Sequence, residues 1–354
     1  MPEPIIHTLR AGLLGLAMAS LAAAQAPLIE PSSPRPEVAT NRPTISQRID
    51  RKHAAISSYV IGFGEGMDAW ISRPFRDRPR TQHARVDRFL NDPRAVEDAP
   101  ASRVKVTPTF TVRESKGVDV GVRVNGKLRL PRVADRLELI FDSEYDDAEV
   151  DNEVRREQRP QITGDQDGAA ALRYYLRETL NFKASIDAGL KFKPEPVPRL
   201  SLRLRGYHHF EELTTRLGQS FFWETQDGFG TRTQFDLEQQ TPQVDLRRLT
   251  TGLLWSESSD GVQASEYLSY FRFLTRRRVM GGRVGLSGHL EPHAQTDNYT
   301  ARLVYRQRVH RDWLFLEIEP GLDWPRDRDF DTTPFVNVKL DIIFGDWEDR
   351  PARH

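Results

Sequence analysis

Cysteine is absent, so neither disulfides nor thiolate metal sites enter the architecture. Lysine is scarce. Of 51 basic residues only Lys52, Lys105, Lys116, Lys127, Lys183, Lys191, Lys193 and Lys339 are lysines, and the rest are arginines. Net charge is missing as well: 51 basic residues balance 51 acidic ones, so no overall field draws nucleic acid. Beyond the N-terminus no run approaches the roughly 18 apolar residues of a helical membrane span. The hydrophobic fraction of 38% and the mean hydropathy of −0.59 agree. One membrane architecture survives this test, because strands that alternate apolar and polar residues have a low mean hydropathy.

The N-terminus reads as an export signal over 1–24. Arg10 precedes an apolar, alanine-rich run from Ala11 to Ala24, and Ala22, Ala23 and Ala24 supply the small residues of a cleavage site. Cleavage after Ala26 would place Pro27 first in the mature chain, so the cut is expected after Ala24. Residues 25–43 hold Pro27, Pro31, Pro34, Pro36 and Pro43 and form a flexible leader. Thr44 and Gln47 have capping-box spacing and open a helix over 44–72. Ile45, Ile49, Ile56, Val60, Phe63 and Met67 lie on one helical stripe. Three positions are open to it: a cover on the periplasmic end, a plug in a lumen, or the membrane interface. Asp50, Glu65 and Asp68 argue against the third, which favours a basic polar face. Residues 73–101, rich in Arg, Asp and Pro, read as a linker or a lining segment.

From 102 the period changes to two and stays so to about 345. In the last segment Pro334, Val336, Val338, Leu340, Ile342 and Phe344 share one parity, while Asn337, Lys339 and Asp341 share the other. A side-chain period of two is a β-strand. Ten steps of about 3.4 Å, tilted by about 40°, rise roughly 26 Å, close to the apolar band of an outer-membrane barrel. Val118 to Leu130, Phe182 to Phe192, Leu200 to Leu204, Tyr299 to Tyr305 and Leu314 to Trp324 repeat the alternation. A secreted β-sandwich also alternates, but with shorter strands and turn signals every 8–12 residues or so. Here the runs are longer, and Trp223, Trp255, Trp324 and Phe344 fall near run ends, where a membrane girdle sits. The expectation is an all-β chain: a transmembrane antiparallel up-and-down β-barrel of about fourteen strands. Twelve is the alternative, because 214–238 and 262–273 alternate poorly. With both ends in the periplasm, Val309-His310-Arg311-Asp312 becomes a short inner turn, and 325–332 and 144–168 become outer loops. Residues 346–354 form a tail.

The segment from Val309 to Pro320, with Trp324-Pro325, Leu253-Leu254-Trp255-Ser256-Glu257 and Asp227-Gly228-Phe229-Gly230, resembles a family of Gram-negative outer-membrane β-barrel, porin-like proteins over roughly 45–345. The resemblance implies a fold, a place in the cell outer membrane, and contact with its lipids and lipopolysaccharide. It implies assembly by the barrel assembly machinery, although the tail after Phe344 departs from a terminal carboxylate on the last strand. It carries no reaction.

Candidate chemistry lies on the polar parity. Arg123, Arg129, Arg203, Arg205, Arg283, Arg302 and Arg306 share it with Glu317, Glu319, Asp323, Lys339 and Asp341. Two readings follow: a narrow or plugged pore for small polar or anionic solutes, or a closed interior laced by ion pairs in a structural, assembly or partner-scaffolding barrel. No catalytic set emerges: G-x-S-x-G is absent, and His208 and His209 face opposite sides of a strand. His289 and His293 lack a third ligand, so no metal is assigned. The acidic stretch 142–153 lacks EF-hand spacing and reads as a solvated loop. No cofactor or nucleic-acid motif is present.

Overall fold

The computed structural model describes residues 44–69, 85–90, 102–114, 117–130, 136–142, 168–192, 195–210, 212–240, 246–259, 261–291 and 293–345. The signal, the leader, the acidic stretch beyond Asp142 and the tail lie outside these. The chain divides into two compact units, 1–46 and 47–354. Helix α1 runs Ile45–Ala69 and α2 Arg85–Leu90.

Fourteen strands follow: β1 Arg103–Arg113, β2 Gly117–Arg129, β3 Leu137–Asp142, β4 Gly168–Glu178, β5 Phe182–Phe192, β6 Pro196–Phe210 and β7 Leu213–Glu224, then β8 Gly228–Gln240, β9 Leu246–Ser256, β10 Gln263–Thr275, β11 Arg278–His289, β12 Gln295–His310, β13 Leu314–Pro325 and β14 Thr333–Gly345. Each pairs antiparallel with its sequence neighbours, and β14 returns to β1 with Val104 opposite Phe344 and Val112 opposite Val336. The ring is closed, so no strand edge is left to seek a partner. Fourteen strands hold and twelve do not.

The poorly alternating strands are real ones, and their chemistry explains the weak pattern. On the outer face of β7 and β8, Gln219 Nε2 donates to Thr231 Oγ1 (2.6 Å) and Thr233 Oγ1 donates to Gln219 Oε1 (2.7 Å). Polar groups can face lipid there because they satisfy each other. On β10 the inner face carries rings as well as serines: Tyr267 and Phe271 are buried beside Ser265 and Ser269.

The outer surface is apolar, with Val118, Val120, Leu172, Leu200, Leu217, Leu268, Val284 and Leu303 exposed. The inner face buries charge, including Arg173, Asp187, Arg248, Glu138 and Arg306. This inversion of a soluble core is what a hydrocarbon solvent demands. Trp223 and Trp255 face outward at the far ends of β7 and β9, and Trp324 stands at the same end of β13, donating from Nε1 to Thr332 Oγ1 (2.8 Å). Phe344 faces outward at the opposite end, which carries the start of β1 and the finish of β14. This is the termini end of the barrel.

Candidate functional site

The lumen is built by one parity of every strand, so its chemistry follows from register. Arg123, Arg205, Arg302, Arg306, Glu317, Glu319, Asp323 and Asp341 are buried inside, and Arg129, Arg203, Arg283 and Lys339 are half-buried on the same inner face. The strands bring part of this set into direct contact. Arg306 bridges β13 and β14, with Nη1 2.9 Å from Glu317 Oε2 and Nη2 2.7 Å from Asp341 Oδ2. Lys339 reaches Glu319 at 2.6 Å and Glu317 at 3.2 Å. Arg113 holds Asp323 at 2.6 Å, and Thr107 Oγ1 donates to Asp341 Oδ1 at 2.7 Å. Arg302 lies over the ring of Phe335. Arg123 pairs with Asp142, Arg203 stands 3.8 Å from Asp187, and Arg283 Nε donates to Ser269 Oγ.

Register also adds residues that the sequence reading left out. Arg173 grips Asp187 through Nε and Nη2 at 2.8 and 2.7 Å, a two-pronged pair. Arg199 and Lys191 share Glu224, each at 2.7 Å. Arg216 and Arg232 lie over the rings of Tyr207 and Phe222. Arg216 and Arg232 fall on β7 and β8, whose outer faces carry Thr215, Gln219, Thr231 and Thr233, so hydropathy contrast there is too low to set their parity, whereas the inward parity of Asp187 and Lys191 follows from the alternation of Phe182 to Phe192.

The two sides of the ring differ. Lys183, Lys191, Arg199, Arg203, Arg205, Arg216 and Arg232 line β5–β8 with Asp187, Glu224, Asp236 and Glu238. Across the lumen β13 and β14 carry Glu317, Glu319, Asp323 and Asp341, each held by a cation as described. Strands β6 and β13 stand opposite each other in the ring. A cationic excess on one wall therefore faces a neutralised carboxylate wall.

At the termini end the lumen changes character. Leu246, Phe271, Val279, Val304, Phe315 and Ile343 all sit on the inward parity and form one buried apolar patch. Val86 and Phe89 of α2 complete it, so α2 lies inside the barrel. The Phe89 ring meets Phe273 and Phe315 edge-on at centroid distances of 5.3 and 5.5 Å. Asp87 Oδ2 accepts from Arg248 Nη2 at 2.5 Å, while Arg248 Nε donates to Glu238 Oε1 at 2.8 Å. Arg306 Nε donates to the Phe89 carbonyl at 3.0 Å. Part of 73–101 thus lines and fills the lumen and is no simple linker. A signal existed: Val279, Val304, Phe315 and Ile343 are apolar residues on a polar parity, near the same end of four consecutive strands. Neighbouring glycines make room for the rings. A Cβ on Gly281 would come within 2.3 Å of the Phe271 ring; at the far end of the barrel one on Gly321 would likewise come within 2.4 Å of the Phe335 ring.

Helix α1 meets the rim instead. His53 Nε2 donates to the Ile343 carbonyl (2.6 Å) and its ring stacks on Trp313 at 4.0 Å. Asp50 bonds His310 Nε2 at 2.8 Å and Arg311 Nη2 at 3.0 Å. The hydrogen bonds from His310 and then Arg311 hold the Asp50 carboxyl below the usual aspartate range. Ile49, Ile56 and Tyr59 remain exposed. The histidines are dispersed: His208 packs edge-on against Phe210, His209 bonds Thr214, and His289 pairs with Asp297. Among the described residues no group of three metal-ligating side chains converges.

No protein-family model matches the chain, and no curated protein does. Solved structures do match in shape. OmpT lacking loop L8, an outer membrane protein of Vibrio cholerae, is 11% identical with a TM-score of 0.40, over 69% of this chain and 98% of that one. OccK10 (OpdN) of Pseudomonas aeruginosa is 10% identical with a TM-score of 0.41, over 69% and 98%. OprB of Pseudomonas putida is 12% identical with a TM-score of 0.41, over 76% and 100%. At that distance they decide nothing about this lumen, and the architecture rests on the chain's own pairing. By that pairing the chain has the closed, all-antiparallel, fourteen-stranded fold of an outer-membrane β-barrel.

Proposed function

We propose that the protein is an outer-membrane channel for small polar or anionic solutes, narrowed at its termini end by α2. The observation that carries this reading is the cationic excess on the inner face of β5–β8. A barrel needing only rigidity gains from matched pairs, as on β13–β14. An excess of cationic over anionic groups in a lumen instead sets a field that attracts anions and orients their carboxylates or phosphates. The insert at one end favours a second reading, a non-conducting envelope barrel shut by α2.

Conductance across a planar bilayer separates the two. The channel reading expects stepwise currents with anion preference. Arg203→Glu and Arg283→Glu, both at half-buried inner positions, are expected to move the reversal potential toward cations while folding is kept. Silence from protein that retains the heat-shifted gel mobility of a folded barrel removes the channel and leaves the structural reading.

A further inference from the structure

One cluster of charge belongs neither to the lumen nor to the outer loops. The β10–β11 turn is Arg276-Arg277, and Arg278 opens β11; all three are exposed. Val279 is the inward residue of β11, so Arg278 points out. Arg272 on β10 and Arg247 on β9 are exposed on the same outward parity. Thr275, Arg276, Arg277, Arg278, Gln307 and Val309 line a recess of about 520 Å³ here.

The backbone around the recess is fixed. Arg308 N donates to the Arg277 carbonyl at 2.9 Å, and Arg277 N donates to Thr275 Oγ1 at 3.2 Å. Tyr305 Oη donates to Gln307 Oε1 at 2.7 Å, which turns the Gln307 amide nitrogen into the group available for an acceptor. Apolar side chains rise from the recess along the outer wall: Leu274, Met280, Leu303 and Val309 are all exposed.

The geometry points to a seat for the headgroup of an anionic phospholipid in the periplasmic leaflet. The inference rests on the membrane reading above, but not on conduction. Adjacent arginines at one depth repel each other, and a bound anion offsets that repulsion. A phosphodiester presents two charged oxygens that fit guanidinium forks. A free anion would make the same polar contacts. The exposed apolar row beside the recess selects an amphiphile, whose acyl chains cover Leu274, Met280 and Leu303 while its phosphate meets the arginines.

The test uses the full-length barrel reconstituted in phosphatidylcholine vesicles and titrated with phosphatidylglycerol, with bound lipid read by native mass spectrometry. Wild type is expected to retain phosphatidylglycerol over phosphatidylcholine, and millimolar inorganic phosphate is expected not to displace it. The triple variant R276Q/R277Q/R278Q should bind phosphatidylglycerol on the order of a hundredfold more weakly, at about fivefold per arginine near a membrane surface. R276K/R277K/R278K should retain most of the preference, because the charge remains. Equal retention of the two lipids by wild type overturns the seat whatever the variants do. Displacement by inorganic phosphate overturns the lipid in favour of a free anion. Protein that fails to float with the vesicles removes the membrane reading itself, which sets that failure apart from loss of the seat alone.

Discussion

The two described helices make an instructive pair. α1 has 25 residues and a clear apolar stripe, yet Ile49 and Ile56 stay exposed and it touches the rim through Asp50 and His53. α2 has 6 residues, too few for a stripe, yet Val86, Asp87 and Phe89 are buried inside the barrel. Amphipathicity fixes which face of a helix seeks burial, not whether a matching surface is within reach. α2 is short enough to enter. Inside, it finds an apolar patch for two side chains, a guanidinium for its carboxylate and a donor for a terminal carbonyl. A helix end needs such partners when buried.

The comparison predicts its own failures. Deleting 85–90 should raise single-channel conductance several-fold, whereas deleting 44–72 should leave it nearly unchanged. If the longer deletion opens the pore and the shorter one does not, the roles of the helices are reversed. Phe89→Ala, which removes the ring between Phe273 and Phe315, should give an intermediate conductance.

Smaller in effect is the charge that anchors α2. Arg248→Met leaves Asp87 and Glu238 buried without their shared cation, and should cost about 3–5 kcal/mol of stability. Urea titration of the folded gel band measures it. A loss under about 1 kcal/mol would mean that water or another side chain takes over.

The smallest effect belongs to α1. The carboxyl of Asp50 is depressed by His310 and Arg311. Its contribution is therefore present above the unfolded aspartate value of about 3.9 and is lost as the pH falls through the lower folded value. Protease cleavage within α1 should be slow at neutral pH and quicken below about pH 4, and Asp50→Asn should show the faster cleavage at neutral pH already. Identical digestion of wild type and variant across that range would detach α1 from the rim pair.

Much of the fold is legible in residues such as Val118–Val124 and Pro334–Phe344, where a period of two and a length matched to a bilayer leave few architectures. Legibility fails on β7, β8 and β10. There Thr231 and Thr233 satisfy Gln219 on the outer face, and Tyr267 and Phe271 fill the inner one, so hydropathy no longer separates the sides. The arginines of the lumen were visible one parity at a time. Arg216, Arg232 and Arg248 were not, since each lies on a strand with weak contrast or beside an apolar inward neighbour such as Leu246.

By itself the sequence determined the strand period, the outward apolar face, the inward charge and the need for closure. These are local properties, set by neighbours one or two positions away and by the hydrocarbon around them. Only the tertiary structure decided which charges meet and what occupies the termini end. Asp87 and Arg248 stand 161 positions apart in the chain, and His53 and Ile343 are separated by 290. No periodicity encodes such distances. They are fixed when the ring closes and brings β14 back to β1.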